Sequence, residues 1–347
     1  MPVSLQNPWV GKGFDVSPSL PKTDVSTVER LLSQCPAHQE TPLTFSREIA
    51  EAVGVAEVWI KDERHRMGLG SFKALGAAFV IAKEAEDAGS EDIATSLQGR
   101  TFVTASAGNH GMSVAAGARI FGATAVIYIA ESVPAAFEER LKSMGARVVR
   151  EGEIYEDSMT AAELAAKDNG WTLLSDSSWP GYVDSALGVM EGYLQMSAEA
   201  ARQIPEPPTH ILQQAGVGGL AGAVAAHARS VWGDKPTIIV VEPEAAPALI
   251  ESVRAGAIVT TDGPVSSMGR LDCKTPSLVA LAGLSRDANR FVTITEDEGE
   301  SGVARLSDFG FDTTPSGGAG LSALLAGLDL PADARVLTFL SEGPESG

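Results

Sequence analysis

The 347-residue chain contains few cysteines and no uninterrupted apolar segment long enough to cross a membrane. Its two cysteines, Cys35 and Cys273, cannot form a disulfide framework, which is typical of proteins in a reducing cytoplasm. Residues 1–14 lack the apolar stretch of a signal peptide. The most apolar window, residues 114–130, is interrupted by two glycines and an arginine, so it predicts a helix, a turn and a strand. We therefore expect a cytoplasmic protein with no membrane partner.

Basic residues are also scarce. The sequence has 26 lysines and arginines against 45 aspartates and glutamates, a formal net charge of −19 at pH 7. Nucleic acids bind to basic surfaces, so this charge argues against a nucleic-acid partner. An apolar content of 44% with 36 glycines is typical of a folded α/β protein, and 347 residues exceed what one hydrophobic core usually holds. Two domains are therefore expected.

From residue 57 onward, short apolar runs alternate with amphipathic helical patterns. Such alternation predicts parallel sheets whose strands are joined by right-handed helical crossovers. We predict two open, mostly parallel α/β domains, with residues 1–50 and 183–347 in a large domain and residues 51–182 in a small one. Residues 1–45 are predicted to form an irregular arm with one helix that packs on the large domain. The predicted strands span residues 57–61, 101–105, 124–129, 146–150, 171–174, 210–214, 237–241, 291–294 and 335–340.

A lysine lies at the start of the helical pattern over residues 72–87. Gly68 and Gly70 turn the chain ahead of Lys73, which places the lysine at the positive end of the helix dipole, an unfavourable position for a cation. A crowded and desolvated lysine has a lowered pKa and can act as a nucleophilic amine. The alternative is an ordinary surface lysine whose ammonium group reaches solvent.

The turn Ser106-Ala107-Gly108-Asn109-His110-Gly111 follows a predicted strand and opens a helix. Backbone N–H groups at a helix N-terminus bind anions, and the serine hydroxyl and asparagine amide add polar groups. The turn therefore predicts a carboxylate site. The alternative is a capped helix start in which Ser106 or Asn109 is only the capping residue.

A second turn, from Gln214 to Leu220, carries three glycines between a predicted strand and a helix. Glycines let the backbone approach a ligand closely and point several N–H groups at one oxyanion. No Lys-Ser or Lys-Thr pair follows, which excludes a P-loop. A dinucleotide site stays open, because Glu242 ends the next strand and could bind a ribose. Ser341 follows the last strand, where it is either a turn residue or a cleft residue.

Five stretches, taken in order, resemble one enzyme family. They are KDERHRMGLGSFKALGA (61–77), SDSSWPGY (175–182), QQAGVGGLAGAV (213–224), LDCKTPS (271–277) and SGGAGLSAL (316–324). The chain resembles the fold type II pyridoxal-phosphate enzymes, which are similar in fold to the tryptophan synthase β subunit, and within them most closely diaminopropionate ammonia-lyase. The resemblance implies pyridoxal 5'-phosphate in the cleft between the two domains, a small amino-acid substrate and a homodimer. No residue is predicted to bind a metal, and the sequence does not determine whether the enzyme requires one.

The resemblance also implies roles for individual residues. Lys73 would bind the cofactor covalently, and Asp176 would act as a second acid or base. The remaining cofactor-binding residues would be Asn109 at the ring hydroxyl, Ser341 at the pyridine nitrogen, and Gly216, Val217, Gly218, Gly219 and Leu220 at the phosphate. The substrate-binding residues would be Ser106, Ala107, Gly108 and His110, of which His110 serves the helix start more than the chemistry.

One position departs from the ammonia-lyase pattern. That family has an aspartate, associated with use of the D-enantiomer, where this chain has Ala107, and a small residue there is more similar to the serine and threonine dehydratases. We expect β-elimination of ammonia from a substrate such as 2,3-diaminopropionate, giving a 2-oxo acid and ammonia. The alternatives are a serine/threonine- or hydroxyaspartate-type dehydratase and, from another class, a nucleotide-binding protein, which would not need an amine at Lys73.

Overall fold

The computed structural model describes residues 2–17 and 19–344, within which the chain forms eleven strands and twelve α-helices. The strands are β1 (Val3–Gln6), β2 (Leu43–Phe45), β3 (Glu57–Asp62), β4 (Thr101–Ala105), β5 (Thr124–Ile129), β6 (Arg147–Arg150), β7 (Thr172–Leu173), β8 (His210–Gln214), β9 (Thr237–Pro243), β10 (Arg290–Ile294) and β11 (Arg335–Leu340). The helices are α1 (Ser26–Leu32), α2 (Arg47–Val53), α3 (Gly76–Asp87), α4 (Asn109–Ile120), α5 (Ala135–Ser143), α6 (Tyr155–Asn169), α7 (Asp184–Gln203), α8 (Gly219–Trp232), α9 (Ala248–Ala255), α10 (Leu278–Asp287), α11 (Glu296–Asp308) and α12 (Ala319–Leu325). None of the helices in this part of the chain is both long and apolar enough to cross a membrane.

The strands form two sheets. The larger sheet has the order β1-β10-β9-β8-β11-β3-β2, in which the five inner strands are parallel and the two edge strands antiparallel. The smaller sheet has the order β6-β5-β4-β7 and is entirely parallel. The predicted α/β class with two open, mostly parallel sheets is confirmed.

Helices cover both faces of the larger sheet. Ile211 of β8 packs into the core that contains residues of α7 and α8, whereas Leu212, which points to the opposite face, packs into the core that contains residues of α12. Because both faces are buried, the inner strands are apolar along most of their length instead of alternating. The strand-to-helix turns are therefore left at the carboxyl ends of the strands, where ligands bind in such sheets.

Three parts of the fold differ from the prediction. The predicted division assigned β3 to the small domain, whereas β3 pairs with β11 in the larger sheet. The arm contains a strand, β1, which pairs with β10, and residues 43–45 form β2. Helices α2 and α10 were not predicted, since α2 is only seven residues long and α10 is buried on almost every side, which removes the polar face that marks a helix in a sequence.

Candidate active site

Lys73 lies in a single 3₁₀ turn, Phe72–Leu75, that comes before α3. The predicted α-helix from residue 72 was therefore wrong by one turn. The Ser71 hydroxyl accepts a hydrogen bond from the backbone N–H of Lys73 at 3.2 Å. The two glycines ahead of it, Gly68 and Gly70, have φ angles of +70° and +78°. The chain thus enters α3 from a sharp turn, and a tight 3₁₀ turn is a common way of doing so.

A buried ion network holds the segment that leads to this turn. Arg66 donates hydrogen bonds of 2.7 and 2.8 Å to Glu63 and of 2.9 and 2.7 Å to Glu199 of α7. The Nζ of Lys61, on β3, lies 2.7 Å from Glu199. These four side chains have no solvent exposure, so two cations balance two anions inside the protein. Buried charges are tolerated only when paired, and this pairing anchors the lysine turn to α7.

Lys73 forms an ion pair with Asp176, in the segment between β7 and α7. The two side chains are 23% and 18% exposed, so the pair is only partly buried. Burial opposes the charge on the ammonium group, but attraction to Asp176 outweighs it and raises the pKa of Lys73. Burial also opposes the carboxylate charge, and the same attraction outweighs it and lowers the pKa of Asp176. The expected lowering of the lysine pKa was therefore wrong, because it considered burial without this partner.

Two aromatic rings lie beside the lysine. The Nζ of Lys73 is 5.3 Å from the ring centre of Phe72 and 5.8 Å from that of Tyr193, within the range of cation–π attraction. Tyr193, on α7, is buried, and a Cβ added to Gly76 would lie 2.6 Å from its ring. Glycine at 76 thus lets α3 approach α7. Tyr193 was not predicted, because helical periodicity does not indicate which side chain of α7 reaches the lysine.

The turn before α4 presents the backbone of a helix start. Gly108 precedes the helix, Asn109 is its first residue, and the Ser106 hydroxyl accepts a hydrogen bond from the Gly108 N–H at 3.3 Å. A Cβ on Gly111 would lie 2.2 Å from the Ser106 carbonyl oxygen, so the turn requires glycine there. The free N–H groups of the first helical turn are available to an anion.

His110 makes a structural hydrogen bond at the start of α4. Its Nε2 donates to the carbonyl oxygen of Leu174 at 2.8 Å, and because a carbonyl can only accept, this nitrogen carries the proton. Burial lowers the pKa of His110. The histidine thus ties the start of α4 to the end of the β7 segment.

The glycine loop, residues 216–220, is closely packed and rich in free backbone donors. Gly218 has a φ of +98°, a left-handed conformation that favours glycine. A Cβ on Gly216 would lie 2.9 Å from the Cys273 sulfur, whereas a Cβ on Gly219 would meet nothing closer than 3.7 Å. Helix α8 begins at Gly219, so its unpaired N–H groups point out of the loop. The loop therefore offers the close backbone approach and the donors that a phosphate requires.

The dinucleotide alternative fails at Glu242. Its buried carboxylate accepts hydrogen bonds from the backbone N–H groups of Leu249 and Ile250 at 2.7 and 2.8 Å. Glu242 thus caps the start of α9, and it is not free to bind a ribose beside the glycine loop.

Glu342, the residue that follows Ser341, contacts Asn109 at the edge of a cavity. Ser341 follows β11, and its carbonyl oxygen accepts the N–H of Phe72 at 3.1 Å, so it lies beside the lysine turn. The Glu342 carboxylate accepts a hydrogen bond from the Asn109 side-chain amide and lies 3.0 Å from the Nε of Arg270. A cavity of about 500 Å³ opens here, with Asn109 and Glu342 in its wall. Glu342 was not predicted, although an acid directly after a strand's carboxyl end was the available signal.

Direct contacts join parts of the predicted site: Lys73 pairs with Asp176, and the Phe72 N–H beside it bonds Ser341. The glycine loop lies next to the Asp176 backbone, since a Cβ on Gly219 would be 3.9 Å from the Asp176 carbonyl oxygen. No group of three or more histidine, cysteine, aspartate or glutamate residues within the described ranges is placed to hold a metal ion.

The family model named pyridoxal-phosphate dependent enzyme matches residues 35–342. The chain belongs to the pyridoxal-phosphate dependent enzymes. Its cofactor is pyridoxal phosphate. The close backbone approach that the glycine loop allows is compatible with the phosphate group of that cofactor. The predicted family, fold type and cofactor are confirmed.

Relatives of this pyridoxal-phosphate enzyme include ammonia-lyases and dehydratases. Diaminopropionate ammonia-lyase of Escherichia coli (strain K12) is 29% identical over 95% of this chain and 90% of its own length. L-serine dehydratase/L-threonine deaminase of Homo sapiens is 29% identical over 85% of this chain and 84% of its own length. The Escherichia coli diaminopropionate ammonia-lyase structure in complex with an aminoacrylate-PLP azomethine reaction intermediate has a TM-score of 0.88 and 28% identity over 99% of this chain and 94% of that one.

Proposed function

We propose that this enzyme is an ammonia-lyase that uses pyridoxal phosphate to eliminate ammonia from 2,3-diaminopropionate. The observation that carries the proposal is the Lys73–Asp176 ion pair, which places an amine and a carboxylate in direct contact. Both groups can transfer protons, and elimination needs one proton removed and one supplied. The similarity to diaminopropionate ammonia-lyases supports ammonia as the leaving group.

The residues around the pair fit the cofactor. Lys73 would bind it covalently, residues 216–220 would hold its phosphate, Asn109 would bond the ring hydroxyl, and Ser341 would face the ring nitrogen. When bound, pyridoxal phosphate supplies the electron sink for the bond broken at the substrate α-carbon. The backbone around Ser106 would hold the substrate carboxylate, since it opens α4.

The proton transfers fall to the two paired groups. Lys73, once freed from the cofactor, or Asp176 would remove the α-proton; the C–N bond at the β-carbon would break, and the amine would leave as ammonia with a proton supplied by the other group. The unsaturated amino acid that remains is hydrolysed by water to a 2-oxo acid and a second ammonia. A neutral serine at the ring nitrogen does not enforce protonation of that nitrogen, which favours prompt loss of the β-substituent.

A second candidate is a dehydratase of the same fold, and Ala107 favours it. Residue 107 lies in the turn before α4, and a small residue at this position is more similar to the serine and threonine dehydratases. The similarity to L-serine dehydratase/L-threonine deaminase supports this candidate. In that reaction water, in place of ammonia, would leave from the β-carbon.

A substrate panel tests these candidates. The holoenzyme is assayed for 2-oxo acid release from L- and D-diaminopropionate, serine, threonine and hydroxyaspartate. We expect one enantiomer of diaminopropionate to be the best substrate and the other to be poor, because no carboxylate stands at residue 107. Ala107→Asp should raise activity on the poor enantiomer. A wild type that is inert to diaminopropionate but active on serine, threonine or hydroxyaspartate would support the dehydratase instead.

Attachment of the cofactor to Lys73 is tested separately. Borohydride reduction of the holoenzyme should fix the cofactor on the peptide that contains Lys73, as read by mass spectrometry. An adduct on another lysine, such as Lys83 of α3, would overturn the assignment of Lys73.

We also propose a homodimer in the cytoplasm. Both cysteines are unpaired, which supports a reducing compartment. The resemblance supports the dimer, and light scattering of the purified holoenzyme tests it directly, since a monomeric mass would contradict the proposal.

A further inference from the structure

The segment that carries Asp176 is a compact turn with its own internal contacts. Trp179 and Tyr182 form an antiparallel bridge, and their rings stack with centres 4.3 Å apart. The Tyr182 hydroxyl donates to the carbonyl oxygen of Leu173 at 3.0 Å and accepts the N–H of Ser175 at 2.9 Å. These bonds hold the turn against the end of β7. They do not by themselves set the distance between this turn and the glycine loop.

A buried serine pair joins this turn to α10. The hydroxyl oxygens of Ser178 and Ser277 are 2.6 Å apart, and the Ser178 N–H donates to the Ser277 hydroxyl at 3.2 Å. The Ser178 hydroxyl and carbonyl accept the first backbone N–H groups of α10, from Val279 at 3.0 Å and from Leu278 at 3.1 Å. Ser277 does not cap the helix with its own side chain. Ser178, which lies in the same turn as Asp176, therefore accepts hydrogen bonds from N–H groups that a helix start leaves unpaired.

Ser277 also contacts the glycine loop. The backbone N–H of Ser277 donates to the carbonyl oxygen of Val217 at 3.0 Å. Helix α10 packs beneath the loop, since a Cβ on Gly218 would lie 3.1 Å from the Cβ of Ala280. Ser277 thus holds the loop through its backbone and the turn of Asp176 through its side chain.

We propose that Ser178 and Ser277 are positioning residues that set Asp176 at a fixed distance from the glycine loop. The inference rests on the proposed roles of Asp176 and of residues 216–220. It accounts for two stretches that carry the family resemblance, SDSSWPGY (175–182) and LDCKTPS (271–277), because each supplies one serine of the pair. Proton transfer requires hydrogen-bond reach, so the carboxylate has to be placed relative to the phosphate that anchors the cofactor.

Ser277→Ala separates the two contacts, because it removes the hydroxyl and keeps the N–H that bonds Val217. We expect turnover to fall by about tenfold to a hundredfold with cofactor affinity unchanged, since a small misplacement of a reacting group has effects of that size. Ser277→Thr, which keeps the hydroxyl, should restore most of the turnover.

Ser252→Ala is the matched control. Ser252 of α9 is also fully buried, and its hydroxyl accepts a backbone N–H from Val259 at 2.9 Å, but it does not belong to the cleft. We expect it to lose stability without losing turnover. Should Ser277→Ala fail to fold, Ser178→Ala and Ser277→Cys provide the same comparison.

Two outcomes would overturn the inference. One is a Ser277→Ala enzyme whose turnover matches that of Ser252→Ala. The other is a parallel loss of cofactor affinity and turnover, which indicates a general structural role. Failure of the proposed function is distinguishable, because the substrate panel on the wild type reads it directly, and failure of the proposed role of Asp176 would leave Asp176→Asn with full turnover.

Discussion

Asn109 at the start of α4 and Glu342 after the end of β11 are hydrogen-bonded across the cleft between the two sheets. The glutamate carboxylate can only accept, so the Asn109 amide has to turn its nitrogen toward Glu342 and its oxygen away. The second oxygen of Glu342 accepts the hydroxyl of Thr314. The orientation of an amide proposed to contact the cofactor ring is therefore set by a residue from the other sheet.

Replacing Glu342 should change the environment of the bound cofactor. We expect Glu342→Ala to shift the absorption maximum of the holoenzyme and to weaken cofactor binding, because the Asn109 amide is then free to rotate. Glu342→Gln should have a smaller effect, since its amide oxygen can still accept from Asn109. Thr314→Val is the control, as it removes a partner of Glu342 and leaves Asn109 untouched. An unchanged spectrum in Glu342→Ala would contradict this prediction.

Asp176→Asn should lower turnover by roughly a hundredfold or more, which is typical of losing a general acid or base. Asparagine is close in size to aspartate but cannot exchange a proton, so the spectrum of the bound cofactor should be unchanged. Asp184→Asn, an exposed residue at the start of α7, controls for the loss of one negative charge. Steady-state kinetics with the best substrate of the panel measures the effect. An Asp176→Asn enzyme of undiminished rate would remove Asp176 from the chemistry.

The proposal that the glycine loop binds the cofactor phosphate is best tested at Gly219. Gly218 is a poor site for substitution, since its φ is +98° and a Cβ would lie 3.1 to 3.3 Å from three apolar side chains. At Gly219 a Cβ has ordinary contacts, so Gly219→Asp adds a carboxylate beside the loop without strain. We expect the cofactor affinity to collapse through charge repulsion while Gly219→Ala keeps most of it. Cofactor titration of the apoenzymes measures both, and tight binding by Gly219→Asp would place the phosphate elsewhere.

Acid stability should depend on Glu199. Burial opposes its charge, but hydrogen bonds and attraction from Arg66 and Lys61 outweigh burial and lower the pKa of Glu199 from 4.5 to about 2. An acid with a lowered pKa in the folded state stabilises the protein above its unfolded pKa. This stabilisation is lost as the pH falls from about 4.5 toward 2.

Glu199→Gln should remove that pH dependence and cost about 3–5 kcal/mol at neutral pH, as expected when one partner of a buried ion pair is deleted. Urea unfolding at several pH values measures both effects. Glu206→Gln, at an exposed position, is the control. It should change neither the free energy of unfolding at neutral pH nor its dependence on pH. Parallel stability curves for wild type and Glu199→Gln would show that the network does not titrate in this way.

The local pattern was sufficient to predict the alternation of strands and helices and the position of each polar turn. Nine strands were predicted near their observed bounds, because apolar periodicity is a short-range property of the chain. The two glycine-containing turns and Ser341 were found in the same way, at the carboxyl ends of strands. The order of strands within a sheet is a long-range property, which is why β3 was assigned to the wrong sheet.

The sequence by itself determined the residue types of the candidate site. These are a lysine after a sharp turn, a polar turn at a helix start that is predicted to bind a carboxylate, and a glycine loop. Only the tertiary structure decided what these residues do to one another. Lys73 and Asp176 are 103 positions apart, and Asn109 and Glu342 are 233 apart. Electrostatic energy depends on distance in space, so the sign of the Lys73 pKa shift could not be read from its neighbours along the chain. Burial alone would lower that pKa, and a partner supplied by the fold raises it.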